Sequence, residues 1–284
     1  MKWDERCFSC LISRVSLECR LCHADPSLED EIVDECARIL EEQKAWPLPH
    51  PRIASALHRH AYRRLGTCDP FRELKERSTK EALEVCRRVR PRLKTWRDLV
   101  TASVIGNTFD FGVLSHTVAG DFSQYFEEEF AAGLFIDDTD RMLPLTDRVV
   151  YFTDNCGEIV FDRLLIEFLS RQGSKVTVAV RDEPILNDAT RAEAEALHIG
   201  KFADLLTTTG CGCELGVRLD CLPKDLARAI DSCTLIISKG MANYESLSEY
   251  QGLPPVAHLM AVKCEPIANE VGVPRGKKIA MLRD

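Results

Sequence analysis

The chain has 284 residues, of which 45% are hydrophobic and 29% charged, so it has room for one large domain or two modest ones, and disordered, collagen-like and coiled-coil classes are excluded. Its net charge of -8, from 45 acidic against 37 basic residues, argues against a broad surface for nucleic acid or anionic membrane. The opening MKWDERCFSC has no apolar signal region, and no stretch reaches the ~18 apolar residues of a membrane span. A soluble, cytoplasmic protein is expected.

Residues 1–95 show helical spacing and no strand pattern. Leu28, Ile32, Cys36 and Leu40 recur on one face, as do Ile53, Leu57 and Ala61. Asp69-Pro70 reads as the N-cap and first residue of a helix running towards Cys86. The prolines of KAWPLPHP (44–51) and Pro91 punctuate these helices. A helical domain over 1–95 and an α/β domain over 96–284 are the expected organisation.

After Leu145 the pattern alternates. RVVYFT (148–153), KVTVAV (175–180), ADLLTT (203–208), CTLIIS (233–238) and VAHLMAV (256–262) read as strands. Between them, Gly157–Gln172, Ala189–Leu197 and Lys224–Ile230 read as helices. Strands that are apolar nearly throughout, alternating with helices, predict a parallel sheet covered on both faces, a three-layer α/β/α core.

In such a sheet, ligands bind outside the carboxyl ends of the strands. The residues just beyond each strand are therefore the informative ones. The first strand delivers Asp154-Asn155-Cys156-Gly157-Glu158, the second ends its loop in Asn187-Asp188, and the third opens a glycine loop, GCGCELG (210–216). The fourth delivers Lys239-Gly240, and the fifth Lys263-Cys264-Glu265. Asp, Asn and Asp oxygens suit a hard divalent cation, whereas lysines and helix-start N–H groups suit a phosphoryl anion. Together they point to phosphoester hydrolysis. Each piece also has an ordinary reading: Asp154-Asn155 and Asn187-Asp188 can serve as helix caps, Lys239 as a solvated loop charge. Their recurrence at one sheet edge carries the functional reading.

The strings VIGNTFDFGV (104–113), YFTDNCGEIVFDRLL (151–165), PILNDAT (184–190), SKGMANYESL (238–247) and AVKCEPIA (261–268) resemble the DUF89 family of metal-dependent damage-control phosphatases. The likeness is closest to the archaeal and bacterial branch, whose members begin with a C-x-x-C such as Cys7–Cys10. The resemblance spans the chain and implies a helical N-terminal domain on a Rossmann-like core. It implies Asp154, Asn155 and Asp188 as ligands of Mn²⁺, Mg²⁺, Co²⁺ or Ni²⁺. It adds Gly106, Asn107, Asp110 and Lys239 to a phosphate pocket, with Glu158 and Lys263 lining it. By the same resemblance Asp154, Asn155 and Lys239 carry catalysis on a small phosphorylated substrate; water attack and an aspartyl-phosphate on Asp154 are both chemically possible, and water is favoured because a metal-ligating carboxylate is a poor nucleophile. Locally, Asn107 reads only as a helix C-cap.

Cys7, Cys10, Cys19 and Cys22 form a C-x2-C-x8-C-x2-C array, a candidate zinc or redox site. In one continuous helix the two pairs could not surround a single ion, and packed thiols are the competing reading. Thirteen cysteines scattered through apparent helices and strands fit a reducing compartment better than a disulfide scaffold. Two other functions stay open at this point. One is an S-adenosylmethionine-dependent carboxyl methyltransferase, disfavoured because Asp-Asn-Cys-Gly stands where its glycine loop belongs. The other is a non-catalytic zinc-containing interaction module. Oligomeric state and the identity of the substrate are not readable.

Overall fold

A computed structural model describes residues 3–46, 48–108 and 122–284. Four helices come first: α1 (Arg6–Leu21), α2 (Pro26–Gln43), α3 (His50–Leu65) and α4 (Arg72–Val89). Helix α2 starts where its sequence says it should, with Asp25 Oδ1 accepting from the Leu28 N–H at 3.0 Å and Pro26 at the first position. Helix α4 begins two residues later than the Asp69-Pro70 signal indicates. Asp69 is used otherwise, its carboxylate lying 2.9 Å from Lys75 Nζ.

Helices α1, α2 and α3 share one apolar cluster that includes Leu11, Val15, Ile32, Leu40, Ile53 and Leu57. Ile185, Leu186 and Leu215 join the same cluster from loops of the sheet, so the helical layer grips those loops. Helix α4 departs from this group. Ala82, Val85, Cys86 and Val89 are buried in the core of the sheet instead.

The remaining elements are α5 (Trp96–Gly106), α6 (Phe122–Ala132), β1 (Ile136–Asp137), α7 (Thr139–Met142), β2 (Arg148–Phe152), α8 (Ile159–Arg171), β3 (Lys175–Val180) and α9 (Arg191–Ala196). They are followed by β4 (Leu205–Thr208), α10 (Lys224–Ser232), β5 (Leu235–Lys239), α11 (Gly240–Leu247), β6 (Val256–Ala261), α12 (Glu265–Val271) and β7 (Lys278–Arg283). The seven strands form one sheet in the order β1-β7-β6-β5-β2-β3-β4. Every pairing is parallel except β6–β7, where the chain returns antiparallel. The all-parallel expectation is corrected there, because β1 and β7 add an edge that the alternating pattern did not contain.

Burial alternates as a sheet covered on both faces requires. Val149 and Tyr151 of β2 enter the core with α5 and α8, while Val150 and Phe152 enter a second core with Leu226 and Ile230 of α10. Each fully buried aliphatic side chain of this kind contributes about 1.5–3 kcal/mol. The chain runs outward from β2 through β3 to β4 and then returns to β5 on the other side of β2. Phe152 is in register with Ala179 of β3 and Ser238 of β5, so the carboxyl ends of the three strands lie level at this reversal. That reversal is where an open α/β sheet presents its crevice. Among the described residues no helix is long and apolar enough to cross a membrane.

Candidate active site

Backbone hydrogen bonds stitch the loops after β2 and β3 together. Ala189 N–H donates to the Asp154 carbonyl at 2.7 Å, Cys156 N–H donates to the Asn187 carbonyl at 2.9 Å, and Asn155 and Asp188 form an isolated antiparallel bridge. Asp154, Asn155 and Asp188 are thereby brought to one place. None acts as a helix cap. Helix α9 is closed by Thr190, whose N–H donates to Glu193 Oε2 at 2.8 Å, and α8 begins after Glu158 without a side-chain cap.

Asp154 Oδ2 accepts from Asn155 Nδ2 at 2.8 Å and from Asn107 Nδ2 at 3.1 Å. Both amides also donate to Glu158 Oε2, at 3.0 and 2.7 Å respectively. Asn107 Oδ1 accepts from the Ala261 N–H at 3.1 Å, which ties the end of α5 to β6. Burial above all, then the charges of Asp188 and Glu158, push the Asp154 carboxyl well above the usual carboxylate range, and Arg181 and Lys263 pull against them. Gathered buried acidic oxygens beside an amide form a donor set that a hard divalent cation would relieve. Among the described residues no three His, Cys, Asp or Glu side chains are gathered for a metal, so a cation held here by Asp154 and Asp188 would need a further oxygen, which Asn155 could supply. Its Nδ2 donates to Asp154 and Glu158, which fixes the amide so that Oδ1 is its acceptor atom.

These residues open onto a cavity of about 410 Å³, walled on one side by Asp154, Asn155 and Asp188 and on the other by α1 and α3. Lys263 lies on this wall; Gly106, Asn107, Glu158 and Lys239 are not among its lining residues. Asn107 and Glu158 support Asp154 from behind. Gly106 is a packing position, since a Cβ there would stand 3.0 Å from Phe161 Cδ2. Asp110 lies outside the described residues.

Lys239 requires a correction of geometry. Its ammonium is fully buried and ion-paired to Glu158 and, at 2.8 Å, to Asp162, and it donates to Ser103 Oγ at 2.7 Å and to the Ser103 carbonyl at 3.0 Å. Burial opposes its charge, but Asp162 and Glu158 outweigh that and raise its pKa. The side chain points beneath the site and not into the cavity.

Arg181, the residue directly after β3, emerges as a site element that the sequence reading passed over. Its Nε donates to Asp188 Oδ2 at 2.6 Å, and its terminal nitrogens donate to the Gly216 carbonyl at 2.5 Å and to Asn243 Oδ1 at 2.9 Å. Asn243 in turn donates to the carbonyls of Lys239 and Thr153, at 2.7 and 3.0 Å. The signal was available: a charged side chain leaving an apolar central strand at its carboxyl end.

Helix α1 is continuous, so Cys7 and Cys19 stand about 18 Å apart along its axis at about 1.5 Å per residue, and the four N-terminal thiols are not gathered. Cys7 and Cys10 line the cavity, while Cys19 is buried in the helical cluster. The expectation of unpaired thiols is modified at the glycine loop, where Cys211 and Cys221 form a disulfide with Cα atoms 5.8 Å apart.

Residues 3–279 match the family model described as the damage-control phosphatase ARMT1-like domain. The chain belongs to this family. A curated damage-control phosphatase from Archaeoglobus fulgidus is 39% identical over 290 residues, covering 99% of each chain. A damage-control phosphatase from Pyrococcus horikoshii is 28% identical over 287 residues, covering 99% of this chain and 98% of its own. The crystal structure of a DUF89 family protein from Pyrococcus horikoshii superposes with a TM-score of 0.91 over all of both chains. The damage-control phosphatase family thus accounts for both the helical layer and the sheet.

Proposed function

We propose that this chain is a metal-dependent phosphatase that hydrolyses small phosphate monoesters, sugar phosphates or damaged phospho-metabolites. One observation carries the reading: Asp154, Asn155 and Asp188, stitched together at the sheet reversal, face a cavity of about 410 Å³. The family match supports it, and two curated relatives are named damage-control phosphatases.

Asp154, Asn155 and Asp188 would hold Mn²⁺, Mg²⁺, Co²⁺ or Ni²⁺, which when bound supplies Lewis-acid polarisation of a phosphoryl oxygen. The chain's own residues do the rest. Asn107 and Asn155 fix Asp154 Oδ2 by two amide hydrogen bonds, so the carboxylate is pre-oriented. Arg181 does the same for Asp188. Lys263, on the cavity wall, offers a positive charge to the equatorial phosphoryl oxygens. Lys239 holds Glu158 in place from below and acts through it. Water is the favoured nucleophile, because a carboxylate that holds the metal is a poor one. A cytoplasmic location is part of this reading, supported by eleven free cysteines and opposed by the Cys211–Cys221 pair. The methyltransferase and zinc-module readings are set aside: the matching family and its named relatives are phosphatases, and the thiols are not assembled.

The test is hydrolysis of an aryl phosphate and a sugar-phosphate panel by metal-stripped protein re-supplied with each of the four ions. Metal-dependent turnover that disappears in Asp154→Ala, with weakened metal binding in Asp188→Ala, is the expected result. No turnover with any of the four ions overturns the reading.

A further inference from the structure

The loop that follows β4 is closed on itself by the Cys211–Cys221 disulfide, and its middle reaches the back of the site. Residues 214–217 are buried, whereas the two bonded cysteines are half-buried. Leu215 N–H donates to Ser55 Oγ of α3 at 2.8 Å, and Val217 N–H donates to Ser246 Oγ of α11 at 2.9 Å. Between them the Gly216 carbonyl accepts from Arg181, whose Nε donates to Asp188 Oδ2 at 2.6 Å. Leu215 also lines the cavity. A bond that spans ten positions of sequence thus closes the segment that anchors Arg181 behind a candidate metal ligand.

The chain is shaped to bring these two cysteines together. Gly210, at φ +71°, lies against the far end of the ring, where a Cβ would stand 2.4 Å from the Cys221 carbonyl oxygen. Cys211 itself has φ +68°, left-handed backbone that a residue with a Cβ adopts only at a cost. Its neighbour Gly212 is held by an exposed contact, N–H to Asp182 Oδ2 at 3.0 Å. The disulfide is the covalent restraint on this turn. Without it Cys211 is free to relax to ordinary φ, and the 211–221 segment gains conformational freedom. Cys213, the remaining thiol of the ring, is pushed up to about 12 by burial, so it stays protonated at neutral pH and does not attack the bond. An external thiol is the partner that remains, and the half-buried Cys211 and Cys221 admit it.

We propose that the Cys211–Cys221 bond is a reversible redox switch on metal affinity. Intact, it holds the Gly216 carbonyl against Arg181 and thereby holds Asp188 in place. Reduced by a low-molecular-weight thiol, it lets the ring relax, and metal binding weakens. This rests on the metal-dependent reading above and adds its regulation. In the first step a thiolate attacks one sulfur of the pair and forms a mixed disulfide. The Cys211–Cys221 bond breaks with its electron pair going to the other cysteine. A second thiolate attacks the external sulfur of the mixed disulfide and frees the remaining cysteine. The two protons that the thiols gave up end on Cys211 and Cys221. Two thiols are oxidised to one disulfide as the protein disulfide gains two electrons, and a low-molecular-weight disulfide reverses both steps.

The experiment titrates Mn²⁺ calorimetrically into the chain in three states: treated with oxidised glutathione, reduced with dithiothreitol, and oxidised again. Each reagent is removed under argon before titration. Thiol counts in denaturant are expected to be eleven, thirteen and eleven. The Kd for Mn²⁺ is expected to rise about 10-fold on reduction, the lower end of the loss when an outer partner of a metal ligand is removed, and to return on re-oxidation. Cys211→Ser combined with Cys221→Ser is expected to bind as the reduced chain does, whatever the thiol. In Arg181→Met, where the route to Asp188 is already cut, reduction leaves Kd unchanged. Thirteen thiols after oxidised glutathione, or equal Kd in both states, overturns the switch. A loss on reduction that persists in Arg181→Met overturns its route. Should a variant not fold, the three states of the unaltered chain decide, at a temperature where circular dichroism shows each of them folded. An oxidised chain that binds none of Mn²⁺, Mg²⁺, Co²⁺ and Ni²⁺ overturns the metal-dependent reading and the switch with it, an outcome distinct from equal binding in both states.

Discussion

Gly240 lies directly against Asp154: a Cβ at that position would stand 1.9 Å from Asp154 Oδ2. The backbone there also has φ +73°, which L side chains rarely adopt. The start of α11 therefore comes within a methyl group of the candidate metal ligand, and only glycine allows both the turn and the approach. Gly240→Ala is expected to displace the Asp154 carboxylate and to abolish Mn²⁺-dependent turnover. Strain of this kind costs on the order of 1–3 kcal/mol, so the variant should remain folded at room temperature while activity is lost. Titration of metal binding alongside turnover checks it, and an Ala variant with full activity would contradict the geometry.

Lys239 supplies a second expectation. With Glu158 and Asp162 both fully buried against it, Lys239→Met leaves two carboxylates without their cation. Breaking one side of a buried ion pair costs about 3–5 kcal/mol. The midpoint of urea unfolding should fall accordingly, and kcat should fall with it as Glu158 loses its support. A lysine that instead gripped the phosphate would give a raised KM with stability unchanged, so the pair of measurements separates the two roles.

That residue also shows where sequence reading reaches its limit. Position was legible: in a parallel sheet, the loop leaving each strand's carboxyl end arrives at the ligand edge, and Asp154, Asn155 and Asp188 were found this way. Direction was not. Whether the Lys239 ammonium turns outward or beneath the site depends on Glu158 and Asp162 at the start of α8, a partnership that only the folded chain creates. Asn107 illustrates a different limit. Its backbone is the C-cap that local pattern indicates, and its side chain also reaches Asp154 and Glu158. Only the family resemblance marked that second role. Strand β7, paired between β1 and β6, escaped because it returns antiparallel after α12, a helix of only 7 residues that is too short to announce the alternation.

Arg181 is expected to matter as much as the ligands themselves. It is buried, and it joins Asp188, the Gly216 carbonyl and Asn243 into one frame. Arg181→Met takes the guanidinium away from the buried Asp188 carboxylate, and stability is expected to fall. Loss of an outer partner of a metal ligand typically weakens metal affinity 10–100-fold, and the same is expected here for Mn²⁺. Arg181→Lys should not rescue it, because a point charge cannot serve three acceptors in the plane of a guanidinium fork. Calorimetric titration of Mn²⁺ into the three proteins is the check, and wild-type affinity in either variant would refute the role.

His50 gives the clearest dependence on pH. Burial disfavours its charged form, but the Glu245 carboxylate 3.1 Å from Nδ1, aided by Cys7, outweighs burial and raises the imidazole from 6.5 to about 10. The folded chain therefore holds this proton more tightly than the unfolded chain. The stabilisation is fully present below pH 6.5 and is lost progressively as pH rises towards about 10. His50→Gln removes that component while keeping a polar side chain beside Glu245. The expected outcome is a melting temperature that falls between pH 6.5 and about 10 in the unaltered chain and falls less in the variant. Since lysines, tyrosines and thiols elsewhere titrate alike in both proteins, the difference between the two curves isolates His50. Parallel curves across that interval would show that the ring does not carry the charge that its contact with Glu245 requires.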